Sequence, residues 1–252
     1  MILEICCGDL ASVLAAKAGG AQRIELCSGL SEGGLTPSIG LILAAVATGI
    51  PEINVLIRPR PGDFLYTEEE LLLMEDDIRH AIYAGATGVV IGVLTADGHV
   101  DSEATARLVA AARDAAIKKG LPNLNITFHR AFDVTENVDK ALEAVIALGC
   151  DCLLTSGQAP SATMGLPMLR HIVQKAAGRI TVMAGAGVNP ANAKEIVEAT
   201  GVEVIHSTAR KPIASRMRFR RPRVAMGAPG SDEYAPLSTA PDVVANLLSK
   251  FS

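Results

Sequence analysis

A chain of 252 residues is ordinary for a single (β/α)8 barrel, which runs to about 250 residues, and long for one sandwich or bundle domain. With 49% hydrophobic residues, 3% aromatics and no Trp, its core must be built from Ala, Val, Ile and Leu, which disfavours an aromatic-rich β-sandwich. The formal net charge of −4 gives no general attraction to nucleic acid or to an anionic membrane, so the expected partners are small.

In chain order, the short apolar runs rich in β-branched residues are ILEICC, RIEL, INVLIRPR, GVVIGVL, NITFHRAF, CLLTS, ITVMAGAGV and VEVIHS, eight candidate strands separated by helical patterns. Helix punctuation lies between them. Thr67 with Glu70 makes a capping box, and Asn189 followed by Pro190 reads as a cap with a first-turn proline. Repeated strand and helix means parallel pairing, so the expected fold is α/β, a (β/α)8 TIM barrel forming a single domain over 1–252. An open doubly wound sheet is the alternative, and no GxGxxG follows the first strand to support it. The stretch 208–239 shows no helical period and is expected to be an irregular loop; its Arg run, 216–223, is read as a solvated or subunit-contacting surface.

The N-terminus carries Glu4 and Asp9 where a signal peptide needs a basic region and an uncharged apolar run, and no segment reaches the roughly 18 apolar residues of a membrane span. A cytoplasmic protein is expected. Five cysteines, an odd number in a long chain, fit reduced thiols better than a disulfide framework.

Parity then assigns the side chains, because barrel strands alternate between interior and helix layer and the helix-facing positions must be apolar. With Leu3 and Ile5 outward, Glu4 and Cys6 point inward and Cys7 does not. The same argument turns Arg23, Glu25 and Cys27, then Asn54, Leu56 and Arg58, then Thr127 and His129 to the interior, with Arg60 beyond at the rim. Charges at such depth are costly unless paired, so they read either as a self-neutralising network or as the wall of a polar site at the C-terminal mouth. In the second case Glu4, Glu25 and His129 are the acid/base candidates, His129 being the best placed. Arg58, Arg60 and Arg130, with Asp133 beside them, would hold a small anionic substrate, phosphorylated substrates included; Asp133 also reads as a capping residue with Glu136. His206 is ambiguous, since either parity leaves a polar residue facing the helices, whereas His80, His99 and His171 read as surface. Gly185 and Gly187 after the seventh strand suit either an anion approaching the backbone or a tight turn, and CSGLSEGGLTPS is long enough to fold over the mouth.

Cys6 and Cys27 end adjacent strands, each two residues beyond an inward Glu, so both sulfurs aim at the mouth. Two thiolates on strands about 4.8 Å apart could share a soft ion such as Cu(I), or be two small buried thiols. Cys150 and Cys152 start the sixth strand and read as core at the opposite end.

In this order, RIELCSGLSEGGLTPS, IRPRPGDFLYTEEE, GVVIGVLTADGHVD, TFHRAFD, LLTSG and VMAGAGV resemble the CutC copper homeostasis family over about Leu3 to Met226. The resemblance implies a TIM barrel, a cytoplasmic and in eukaryotes also nuclear protein, a homo-oligomer (dimer or tetramer), and a role in copper handling. The paired cysteines taken in the eukaryotic branch as Cu(I) ligands map onto Cys6 and Cys27. Ala184 and Ala186 depart from a stretch usually richer in Gly and Pro, and KKGLPNLN lengthens the connection before the fifth strand. Two functions follow as expectations: Cu(I) binding by the cysteine pair, with Arg58 favouring the thiolates, or a TIM-barrel enzyme acting on a small anionic substrate.

Overall fold

The computed structural model describes residues 1–221, 224, 232 and 234–251. Eight parallel strands close in sequence order into a barrel. They are β1 (Ile2–Cys7), β2 (Arg23–Leu26), β3 (Glu52–Leu56), β4 (Gly88–Ile91), β5 (Asn125–Phe128), β6 (Cys152–Thr155), β7 (Thr181–Ala184) and β8 (Val204–Ser207). Around them run α1 (Leu10–Ala18), α2 (Ile39–Ala47), α3 (Glu68–Ala84), α4 (Ser102–Lys119), α5 (Val138–Ala147), α6 (Leu166–Ala176), α7 (Ala193–Thr200) and, closing the chain, α8 (Pro241–Ser249). The expected TIM barrel is therefore the fold.

Local chemistry sets the element ends. The Thr67 and Glu70 capping box opens α3 as expected. β3 stops short of the RPRP run because Pro59 and Pro61 have no N–H to give the ladder, and the Arg58 N–H goes instead to Thr36 Oγ1 at 2.9 Å. α7 starts three residues later than Pro190 suggests: Asn189 Oδ1 accepts the Ala191 N–H at 2.9 Å and builds a turn first. The stretch 208–239 is not wholly irregular, since β9 (Arg210–Pro212) pairs antiparallel with β10 (Leu237–Thr239). Within its basic run, Arg220 stacks over the Tyr234 ring at 4.4 Å, while residues 222 and 223 lie outside the described residues.

The alternation expected from parity holds. Leu3, Ile5, Cys7, Ile24, Leu26, Ile53 and Val55 pack into the large core between strands and helices, whereas Cys6, Cys27, Leu56 and Val90 form a separate interior cluster. A third cluster of Cys152, Leu154, Met183 and Val204 fills the interior on the β6 to β8 side. Cys150 joins the outer core. Burial raises the pKa values of both Cys150 and Cys152 to about 12, so these thiols are inert core. Among the described residues no helix is long and apolar enough to cross a membrane.

Gly88 on β4 is where the barrel makes room for its polar interior. A Cβ there would collide with Asn54 Oδ1 and come within 2.8 Å of the Asn125 carbonyl. Gly88→Val should therefore destabilise the chain by about 1–3 kcal/mol through overpacking. Urea unfolding is the measurement, and a variant as stable as wild type would show that the strands spread freely at this layer.

Candidate functional site at the barrel mouth

The site begins with a charge that must be paired. Glu4, on β1, is fully buried, and its two oxygens are shared between β3 and β8: Asn54 Nδ2 donates to Oε2 at 2.7 Å and His206 Nδ1 lies 2.9 Å from Oε1. The other His206 nitrogen is 3.7 Å from Glu25 Oε2. The same Glu25 oxygen accepts the Cys6 thiol at 3.0 Å, and Cys6 Sγ is 3.8 Å from Cys27 Sγ. One chain of contacts thus runs from Asn54 through both carboxylates to the thiol pair. Its strand neighbours bring this about: Glu4 sits opposite His206 across the β1/β8 ladder and Cys6 opposite Glu25 across β1/β2.

Electrostatics follow from depth. Burial raises the Glu25 pKa, and Glu4 adds to this, while His206 and the Cys6 hydrogen bond pull it back only in part. Burial alone would lower the His206 pKa, but the charges of Glu25 and Glu4 and the hydrogen bond to Glu4 outweigh it and hold the imidazolium above its ordinary value. The Cys6 thiol is pushed well up by its hydrogen bond with Cys27, by burial and by the negative field of Glu25. Metal-ligating atoms gather into two sets that share one residue, Cys6 with Glu25 and Cys27, and Glu4 with Glu25 and His206, the atoms of each set lying within 4.8 Å of one another.

Above this floor opens a cavity of about 430 Å³ at the C-terminal ends of the strands. Cys6, Glu25, His129, Arg58, Arg130 and Asp133 are among its walls, so the structure brings most of the expected residues together. Glu4 lies beneath them rather than on the surface of the cavity. Arg60 is not part of it: its guanidinium bonds Glu70 at 2.6 Å and Asp63 at 3.0 Å and stacks on Tyr66. Gly185 packs under the barrel lip, where a Cβ would approach Leu154 Cδ1 to 2.6 Å, and Gly187 lines the cavity with φ of 76°.

Four expectations change, those for Arg23, Arg58, His129 and Asp133. Arg23 does not join the interior network, because it begins β2 and reaches Glu52 at 2.5 Å, the first residue of β3 and its register partner. Arg58 does not favour thiolates: its terminal nitrogens donate to the carbonyls of Glu32, Gly34 and Gly62 at 2.8–2.9 Å, pinning the loop after β2 to the loop after β3 at the mouth, and Cys6 stays a thiol. His129 is not poised near neutrality: burial and the Arg58 charge lower its pKa to about 3, and its Nδ1 accepts the Ala131 N–H at 3.1 Å. The imidazole set between carboxylates is His206, which parity could not orient. Its inward turn leaves Ser207 facing the helices, where the hydroxyl donates to the Val188 carbonyl at 2.7 Å, the detail that resolves the ambiguity. Asp133 proves neither free nor a helix cap; it accepts from the Ser156 and Gln158 N–H groups and from Arg130 at 2.7 Å, tying the loops after β5 and β6 together. Arg210, on β9, also lines the cavity and had no sequence signal beyond its position after the last strand.

Because His206 keeps its proton to higher pH when folded, its pairing stabilises the fold fully below the unfolded histidine pKa of about 6.5 and is lost as pH rises through the folded value. Urea midpoints should fall across that interval, and His206→Gln should flatten the fall. A wild-type midpoint that rises there would contradict the pairing.

The CutC family model matches residues 1–211. A family protein CutC from Chromobacterium violaceum is 48% identical over 246 residues, covering 98% of this chain and 96% of that protein. A second, from Vibrio campbellii, is 44% identical over 247 residues, covering 98% and 97%. The crystal structure of CutC from Streptococcus agalactiae superposes with a TM-score of 0.75 at 32% identity, over 82% of this chain and 98% of that one. An aldolase, QR15, shares only the fold, with a TM-score of 0.59 at 20% identity over 82% and 89% of the two chains. These relatives are bacterial, so the eukaryotic comparison and the nuclear location that came with it gain no support from them. The chain belongs to the CutC family.

Proposed function

We propose that this protein binds Cu(I) as cargo through Cys6 and Cys27 and so serves copper homeostasis, with Glu25 taking up the Cys6 proton as the metal enters. The observation that carries the reading is the pair of sulfurs 3.8 Å apart with a carboxylate oxygen 3.0 Å from one of them. Soft thiolates favour Cu(I) over harder ions, and the set offers too few ligands to close a tetrahedral zinc site. The Streptococcus agalactiae relative is described as a candidate copper homeostasis protein. Five free cysteines fit the reducing, cytoplasmic setting that Cu(I) handling needs. The exposed apolar side chains Leu14 and Leu43 on α1 and α2 support a homo-oligomer as its working form.

Metal entry must displace two thiol protons, so affinity should rise with pH. The raised pKa of Cys6 makes that dependence steep at neutral pH, and the hydrogen bond to Glu25 gives its proton a first acceptor. Arg58 has no part in the step.

Anaerobic competition against a Cu(I) chelator of known affinity tests this. Wild type should take up one Cu(I) per chain, Cys6→Ser should lose it, and Cys7→Ala, whose thiol faces the helix layer, should retain it. Equal uptake by the Cys6 and Cys7 variants would overturn the reading. Glu25→Gln should weaken binding about 10- to 100-fold, as loss of a carboxylate behind a metal ligand does elsewhere.

A further inference from the structure

Among the described residues six buried side-chain nitrogen or oxygen atoms have no hydrogen-bond partner. Three of them, Arg58 Nε, His129 Nε2 and Arg210 Nε, belong to residues that line the one cavity above the thiol pair. Their chemistry is uniform. Both arginines carry N–H at Nε, and because His129 Nδ1 accepts the Ala131 N–H, the ring proton of the neutral imidazole sits on Nε2. Native interiors leave few buried donors unpaired, since each has given up its water. Arg58 and His129 are only 6% and 5% exposed.

The two carboxylates on the cavity wall already have partners of their own. Glu25 takes the Cys6 thiol and faces His206; Asp133 takes Thr155, Ser156 and Arg130. Three guanidinium groups, those of Arg58, Arg130 and Arg210, share the wall with two carboxylates, Glu25 and Asp133, so basic groups are in excess there. The volume of about 430 Å³ suits a small metabolite rather than a bare ion. A further sign is backbone strain: Ala186, which also lines the cavity, holds a φ of 74° that favours glycine, and such outliers gather where a ligand is gripped.

We infer that this cavity binds a small organic or inorganic oxyanion, a carboxylate or a phosphate, whose oxygens accept from Arg58 Nε, His129 Nε2 and Arg210 Nε. The site is separate from the cargo reading: it uses nitrogen donors just after β5, on β9 and in the loop after β3, whereas the metal ligands are sulfurs on β1 and just after β2. An occupant there would cover Cys6, and the mouth would hold both a soft metal and an acidic metabolite in adjoining layers.

The test is calorimetric titration of the metal-free chain with inorganic phosphate and, separately, with malonate, alongside the nitrogen-15 resonances of the His129 ring. At least one probe should bind and shift Nε2, and His129→Asn and Arg210→Gln should each raise Kd tenfold or more. Arg210 is partly exposed on a short surface strand, so its variant keeps the test available if the His129 variant unfolds. Binding of phosphate alone or of malonate alone supports the site and names the class. No binding of either at millimolar concentration, or unchanged affinity in a folded Arg210→Gln, overturns it. Because no copper is present, failure here leaves the thiol reading standing, and failure of copper uptake leaves this one standing.

Discussion

The carboxylate of Glu4 is buried to 0% exposure inside a barrel whose interior is ordinarily filled by branched apolar side chains, and the rest of the site depends on how that charge is met. Asn54 and His206 meet it from the two sides of β1, and neither contact forms unless β8 and β3 hold their registers. Breaking such a buried pair by removing one partner typically costs about 3–5 kcal/mol, because an uncompensated charge is left behind. The glycine at position 88 follows from the same demand, since the space a side chain would take is occupied by Asn54. His206, once fixed by Glu4, presents its second nitrogen to Glu25, and Glu25 in turn engages Cys6. The thiol pair is thus set in place from below by polar contacts rather than by packing alone.

The barrel interior is consequently lopsided. On the β6 to β8 side it is closed by Cys152, Leu154, Met183 and Val204 in ordinary apolar fashion. On the β1 to β3 side it carries the acids and the two thiols, joined by the His206 imidazole from β8, and the cavity that opens above is walled from both halves. Loops finish the mouth. Arg58 holds the β2 loop by two carbonyl contacts and the loop after β3 by a third, and Asp133 binds the β5 and β6 loops to each other, so the terminal nitrogens of Arg58 and the carboxylate of Asp133 give the rim its shape. That division of labour is physically sensible, because backbone carbonyls and N–H groups at loop bends need partners that only long or acidic side chains can supply.

Much of this was legible in the chain because alternation is a strong constraint. In ILEICC, RIEL and INVL the apolar residues that must face the helices leave Glu4, Cys6, Glu25 and Asn54 no direction but inward, and the structure places them there. His206 was not legible because HS carries two polar residues in succession, and only the tertiary contact of Ser207 with the Val188 carbonyl decides between them. Arg23 shares the parity of Glu25 but sits a layer lower, and depth along a strand is not encoded in alternation. The roles of Arg58 and Asp133 depended on carbonyls and N–H groups of loops far away in sequence, which no local pattern reveals. The lowered pKa of His129 likewise comes from burial and from Arg58 across the barrel.

The central claim is that the two thiols at the end of this polar chain are the ligands of a soft metal ion. X-ray absorption at the copper K edge on the anaerobically loaded, full-length chain tests it most directly. The account requires a Cu(I) edge and a first shell made of two sulfur scatterers. A first shell of nitrogen and oxygen alone would place the metal elsewhere and contradict it.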